Sequence, residues 1–376
     1  MDAGQDDGDR QGAFRLDVVI VVWRLPLLVL GFASLVVGTG AGLARLGWSV
    51  PAVAASASTL HGPLMICGFF GVVISLERAV AIGRPWAYAA PLFAGLAGVA
   101  AVIGATVVAA WLFVVASLVF LAASADVFRR QTALFTFTMA LGALSRAAGN
   151  ALWVAGAPVQ GIVGWWLAFP ILTIAGERLE LSRFMPPSPL ATRVFAGILI
   201  AIGAGLAGLR TSWGAVVFAL ALLALALWLF RQDIARRTVR GKGLTRFIAV
   251  CLLSGYAWLA VGGGTILAAG DLAPGSAAYD AALHALALGF VFSMVFGHAP
   301  IVFPAVLRVA LPYHPSFYLP LALLHGSLVV RVAGDAMADF GWTRAGGLGN
   351  AVALAAFIVV TAAAVIRRGR GVPRSP

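Results

Sequence analysis

Residues 279–327 read YDAALHALALGFVFSMVFGHAPIVFPAVLRVALPYHPSFYLPLALLHGS. From Ala281 to Leu307 the run carries no Asp, Glu, Lys or Arg. It is longer than the about 20 apolar residues that span a bilayer as a helix. The stretch also holds His284, His298, His314 and His325, four of the 5 histidines in the chain. His284 and His298 fall on one helix face, about 40° out of register and about 21 Å apart along the axis. Imidazoles at membrane depth are costly and mark functional sites by default.

Working outward, the 376 residues are 61% hydrophobic and 11% charged. A soluble protein carries about 25% charged residues. Apolar windows lie near 25–45, 52–76, 87–109, 111–128, 132–157, 160–177, 190–209, 212–230, 245–269, 278–307, 316–334 and 344–366. The expected fold is an all-α polytopic membrane protein of twelve transmembrane helices, grouped as three arcs of four. Residues 1–15 are expected as a disordered cytoplasmic tail, 16–366 as a single membrane domain, and 367–376 as a basic cytoplasmic tail. The N-terminal MDAGQDDGDRQGAFRLD is acidic and polar, unlike a cleavable signal. Residues 16–23 (LDVVIVVW) read as an interfacial segment before the first span.

The basic residues set the orientation. With a cytoplasmic N-terminus, all of the 26 Lys and Arg except Arg45, Arg146, Arg210, Arg331 and Arg344 fall on the cytoplasmic side. Positive residues favour that side, so the pattern predicts cytoplasmic N- and C-termini in a bacterial-type inner membrane. It also accounts for the net charge of +12 without a nucleic-acid partner. The cluster Arg231, Arg236, Arg237, Arg240, Lys242 and Arg246 is expected at anionic lipid headgroups. Glu77-Arg78 and Glu177-Arg178 recur 100 residues apart at span ends, a faint internal echo that the tenth span continues. Local ion pairing at the interface explains these glutamates and Glu180; proton entry is the sharper alternative.

Cys67 and Cys251 lie in separate apolar runs, and no C-x-x-C or C-x-x-C-H occurs. Structural zinc and a c-type haem attachment are therefore unsupported. There is also no phosphate-binding P-loop and no G-x-S-x-G elbow. No residue is assigned a catalytic role.

Depth pairs the histidines. His61, in STLHGPLMICGFFG, and His284 both fall roughly 10–14 Å below the outer surface. His298 and His325 are level in the inner half. Two level imidazoles on different helices can clamp a haem iron axially, and imidazole also suits copper. The plain alternative is that each histidine bonds a neighbouring helix. His314 is a weak third candidate for the inner pair. Pro300 and Pro304 are expected to bend the tenth span beside that pair. Arg146 and Asn150, one turn apart near mid-membrane, are expected as cofactor-binding residues, the Arg through a haem propionate or another carboxylate.

These motifs resemble the NnrS family, haem- and copper-containing membrane proteins linked to nitric oxide. The resemblance rests on Phe14-Arg15-Leu16, LHGPLMICGFFG, ALHALALGFVFSMVFGHAP and VVRVAGD. It departs from that family in carrying only His61 in the second span. A more distant similarity is to the catalytic subunit of haem–copper oxidases, since GHAPIVFP resembles its G-H-P-E-V motif. Here that motif sits in span ten, and span six has no histidine. The resemblance implies a protein that binds, senses or redox-processes nitric oxide or a related diatomic. It implies one or two haem b groups, copper, and a quinone or cytochrome as electron donor. The expected metal ligands are His61 with His284, and His298 with His325. A transporter or copper carrier with a histidine-lined path is the alternative.

Overall fold

The computed structural model describes residues 3–182, 187–309 and 311–371, with side chains described from Arg24 to Arg367. Expectations placed on Arg183, on the side chains of Phe14-Arg15-Leu16 and on the last residues lie outside that description. Every regular element is helical, with no strand among the described residues.

Helix α1 (Ala3–Arg45) is one continuous element. The residues expected as a tail and an interfacial segment are helical from Ala3 onward, and the apolar span within this helix is Arg24–Arg45. Then follow α2 (Ala52–Ser56), a 3-10 turn at Ser58–Leu60, a π-helical segment at Pro63–Phe70 and α3 (Gly71–Ile82). Next come α4 (Ala89–Val102), α5 (Thr106–Arg130), α6 (Leu134–Val154), α7 (Val159–Leu181), α8 (Pro189–Ala207) and α9 (Ser212–Gln232). The short α10 (Ala235–Thr238) leads to α11 (Gly243–Ala269) and α12 (Ala277–His284). A second π segment, Ala285–Phe292, joins α12 to α13 (Ser293–Leu307). α14 (Tyr318–Ala336) and α15 (Phe340–Gly371) complete the chain.

Helices thus occupy all twelve expected windows, and 11 of them are long and apolar enough to cross a membrane. The one outside that set is α6, which carries Thr136, Thr138, Ser145, Arg146 and Asn150 as buried polar residues. It is a span by position, packed between α5 and α7, with its polar side chains turned inward. The protein is an all-α, multi-pass membrane protein.

Two boundaries move. The break between the third and fourth spans falls at Ile103–Ala105, because Gly104 takes φ 84°, a left-handed turn that ends α4. The second span does not begin as a straight helix at residue 52; the chain turns twice before Pro63.

Helix α4 packs on α5, α5 on α6, α6 on α7, α8 on α9 and α14 on α15. In α6 and α7 the register is explicit: Gly176 faces Met139, Gly142 faces Phe169 and Thr173, and Gly149 faces Trp166. Small residues at such positions let helix backbones approach closely within lipid. The alternation puts the C-terminal ends of α3, α5, α7, α9 and α13 at one face, which is rich in arginine. The C-terminal ends of α1 and α14 and the N-terminal ends of α7, α12 and α15 lie at the other. There Arg344 of α15 stacks on Trp48 at 4.2 Å and donates to the Gly47 carbonyl at 3.0 Å, which pins the loop after α1.

Candidate functional site

The site is built where the two π segments meet. His61 lies two residues before the start of the first of them, and His284 directly precedes the second. π-helical turns are rare and cluster at functional sites, since each inserts an extra residue into the turn and re-aims the side chains around it. Below the histidines the segments are locked by aromatic contacts. Phe69 and Phe292 stack with centroids 5.7 Å apart, and Phe70 meets Phe292 at 4.9 Å.

His61 and His284 face each other across a gap. Their ring centroids are 6.2 Å apart and their planes are 21° from parallel. That is too far for van der Waals stacking. Each ring is held by its Nδ1. His61 Nδ1 donates to the Gly38 carbonyl at 2.7 Å, and His284 Nδ1 donates to the Asp280 carbonyl at 2.8 Å. With Nδ1 as the N–H donor, each Nε2 keeps its lone pair, the tautomer a metal-ligating histidine needs. Neither Nε2 has a protein partner among the described residues.

The supports come from three other helices. α1 approaches His61 so closely that a Cβ at Gly42 would stand 2.8 Å from the ring. From α14, Arg331 grips Asp280 through both carboxylate oxygens, at 2.8 and 3.0 Å. Asp280 Oδ1 in turn lies 3.3 Å from His284 Nδ1. Asp335, also on α14, accepts from Thr343 of α15 at 2.9 Å.

Both histidines line a cavity of about 740 Å³. Its deep walls are apolar, including Met65, Ile66, Phe70, Leu167, Leu288 and Phe292. Toward the face opposite the arginine-rich one the lining turns polar, with Arg45, Gln160, Tyr279, Asp280, Arg331 and Asp335. Phe70 and Phe292 form the floor and are almost fully buried. An apolar pocket with a few convergent polar groups is the usual form of a ligand or cofactor site.

The inner pair is not formed. His298 Nδ1 donates to the Met294 carbonyl at 2.7 Å, and its Nε2 accepts from Arg178 Nη2 at 3.0 Å. His325 Nδ1 accepts from Trp258 Nε1 at 2.9 Å, and its Nε2 contacts Ser293 Oγ at 3.3 Å. Both nitrogens of both rings are engaged, His298 by its own helix and α7 and His325 by α11 and α13, so neither ring offers a lone pair. His298 belongs to a polar node in which Arg178 also lies 3.9 Å from Asp233, whose Oδ2 accepts from Tyr256 at 2.6 Å. His314, outside the bundle, bonds Ser316. Pro300 and Pro304 lie inside α13, which stays α-helical; the irregular turn is the π segment upstream of them.

Arg146 and Asn150 do not reach the cavity. Arg146 Nη2 donates to the Cys67 carbonyl at 3.3 Å, and Asn150 Nδ2 donates to the Phe113 carbonyl at 2.9 Å. Among the described residues, no group of three or more His, Cys, Asp and Glu side chains is placed to hold a metal ion. The histidine pair presents two facing ring nitrogens that no protein group takes up among the described residues.

Sequence reasoning passed over Gly38, Gly42, Asp280 and Arg331. Signals for them exist: GTGAG at 38–42 places two glycines one turn apart, and Asp280 stands four residues before His284.

The chain belongs to the family described as "Domain of unknown function (DUF8744)", whose model matches residues 24–366. No curated protein and no solved structure matches it.

Proposed function

We propose that this member of a family of unknown function is a haem-binding membrane protein in which His61 and His284 would hold one haem b. The observation that carries the reading is the facing pair: two imidazoles, each held at Nδ1, each with Nε2 unpartnered, 6.2 Å apart between centroids in a common cavity. A metal ion held by both Nε2 atoms, at about 2.0–2.1 Å per metal–nitrogen bond, would fit between rings at this separation. The cavity offers apolar walls for a macrocycle, and Arg45 and Arg331 line its polar end for carboxylates.

The chain's residues have separable tasks in this reading. Gly38 and Asp280 carbonyls fix the tautomer and aim of the rings. Arg331 fixes Asp280 through a two-pronged ion pair. Phe69, Phe70 and Phe292 close the inner side against water. With both histidines holding the iron, the haem would supply one-electron transfer; a diatomic gas, for which the NnrS resemblance favours nitric oxide, would bind only where one histidine gives up its place. The termini are then cytoplasmic, and a quinone or cytochrome delivers electrons.

The other reading, a transporter or copper carrier, has one feature in its favour. Met65 lines the same cavity one turn after His61, and a thioether beside imidazoles suits copper(I). A continuous histidine-lined path is not part of it, since His298 and His325 are engaged elsewhere.

The test is the absorption spectrum of the purified protein, oxidised and reduced, with iron and copper measured on the same sample. The expected outcome is a Soret band and about one iron per chain, both lost in His61→Ala and His284→Ala. A colourless, iron-free protein from haem-supplied cells would falsify the reading; copper in its place would favour the carrier.

A further inference from the structure

Arg146 stands without a counter-charge. It lies near the middle of α6 and is 0% exposed. Nη2 donates to the Cys67 carbonyl, while Nε and Nη1 have no partner. Its guanidinium packs on the Phe169 ring at 5.3 Å. A Cβ at Gly71 would stand 2.5 Å from Nη2, so the glycine is what admits the guanidinium between helices. No ion pair of Arg146 is found among the described residues. The titratable side chain beside it is that of Cys67, whose carbonyl it binds. That thiol donates to Asn150 Oδ1 at 3.4 Å, so it keeps its proton and carries no charge.

A second group close by has the same need. Trp166 of α7 is also 0% exposed, and its Nε1 has no partner. The α6–α7 register sets the two one turn apart on the same helix pair: Arg146 packs on Phe169, and Trp166 faces Gly149. Every unpartnered atom here is a donor. A buried guanidinium stays charged, and a buried charge is paired or coordinated. What complements two or three inward N–H groups and one positive charge is a small acceptor bearing one negative charge.

We propose that Arg146 and Trp166 bind a small monovalent inorganic anion, of chloride, nitrite or nitrate size, between α6 and α7. The site stands one side chain behind the cavity wall. Ile66, Phe70 and Leu167 line the cavity; Cys67 and Gly71, neighbours of the first two, lie against the guanidinium, and Trp166, neighbour of the third, stands one helical turn from Phe169 on α7. This inference does not depend on what His61 and His284 bind.

The experiment uses the full-length protein in detergent, dialysed into gluconate as the sole buffer anion. Two readouts are taken: the inorganic anion released on denaturation, by ion chromatography, and thermal unfolding titrated with bromide and with nitrate. The expected result is either about one chloride-class anion released per chain or a saturable rise in Tm that gluconate does not give. Trp166→Phe removes one donor and keeps the ring; it should weaken the apparent affinity about tenfold. Arg146→Gln should abolish the anion effect. In bromide-grown crystals the anomalous peak should lie beside the guanidinium. The proposal is overturned if the wild-type protein releases no anion and shows no saturable stabilisation. It is equally overturned if the effect is the same size in Trp166→Phe and, should that variant fold, in Arg146→Gln.

Discussion

His284 and His298 sit on one continuous run of helix, yet they end in opposite chemical states. His284 has Nδ1 fixed and Nε2 open to a cavity. His298 has Nδ1 fixed in the same way, by the carbonyl four residues back, but an arginine from α7 takes its Nε2. The two partner histidines repeat the contrast. His61 faces His284, while His325 is held between Trp258 and Ser293. A histidine within a helix readily gives Nδ1–H to its own preceding turn, which leaves Nε2 to decide its role. Where a donor from another helix reaches Nε2, the histidine is a structural cross-link. Where a second imidazole stands across a gap instead, it is a ligand.

The largest effect that breaks this comparison comes from a residue outside both pairs. Gly42→Leu would drive a side chain into the His61 ring from α1, since even a Cβ there stands 2.8 Å from Cε1. His61 must then rotate away, and the Gly38 bond to Nδ1 is lost with it. The expected outcome is a folded protein, by circular dichroism and size exclusion, with less than about a tenth of the wild-type haem absorbance. Full absorbance in Gly42→Leu would mean that the ring's present placement is not what the site requires.

The inner pair should respond in stability and not in colour. His298→Ala removes the acceptor of Arg178 Nη2 and leaves a guanidinium nitrogen short of a partner in a buried node, where Arg178 Nε already lacks one. Leaving a buried donor unsatisfied costs about 1–3 kcal/mol, more for a charged group. Thermal unfolding of His298→Ala should therefore fall clearly below wild type, with iron content and Soret band unchanged. Loss of absorbance at unchanged stability would reverse the assignment of the two pairs.

Much of this architecture is legible in the residues, for identifiable reasons. An apolar run such as 281–307 has only one way to cross a bilayer, and the rise per residue fixes the depth of His61 and His284 within it. Depth arithmetic is blind to azimuth, and that is where the inner pair departs. Nothing in GHAPIVFP says that α7, not α14, presents the next polar group, because Arg178 comes from a helix 120 residues earlier. The π segments are equally hidden. PLMICGFF and ALALGFVF are uniformly apolar, so an extra residue in the turn leaves no break in the hydrophobic pattern. Arg146 reads as a ligand-binding residue by its cost, and the cost is real; its neighbours are Cys67, Gly71 and Phe169, away from the cavity.

The finest distinction concerns His325, whose bonds are the weakest of the four. Trp258→Phe keeps an aromatic ring beside the imidazole, now near-parallel at a centroid distance of 6.3 Å, and removes only the 2.9 Å donor to Nδ1. One neutral hydrogen bond contributes about 0.5–1.5 kcal/mol net, so the loss of stability should be at the edge of detection. His325 would keep the Ser293 contact, and that serine would keep its bond to the Cys251 carbonyl at 3.1 Å. With Nδ1 released, His325 acquires the open nitrogen that His284 has, but it does not line the cavity. The variant should therefore gain no second haem and no copper. Uptake of a second metal by Trp258→Phe would show that engagement of the ring nitrogens alone, and not the cavity, separates the two pairs.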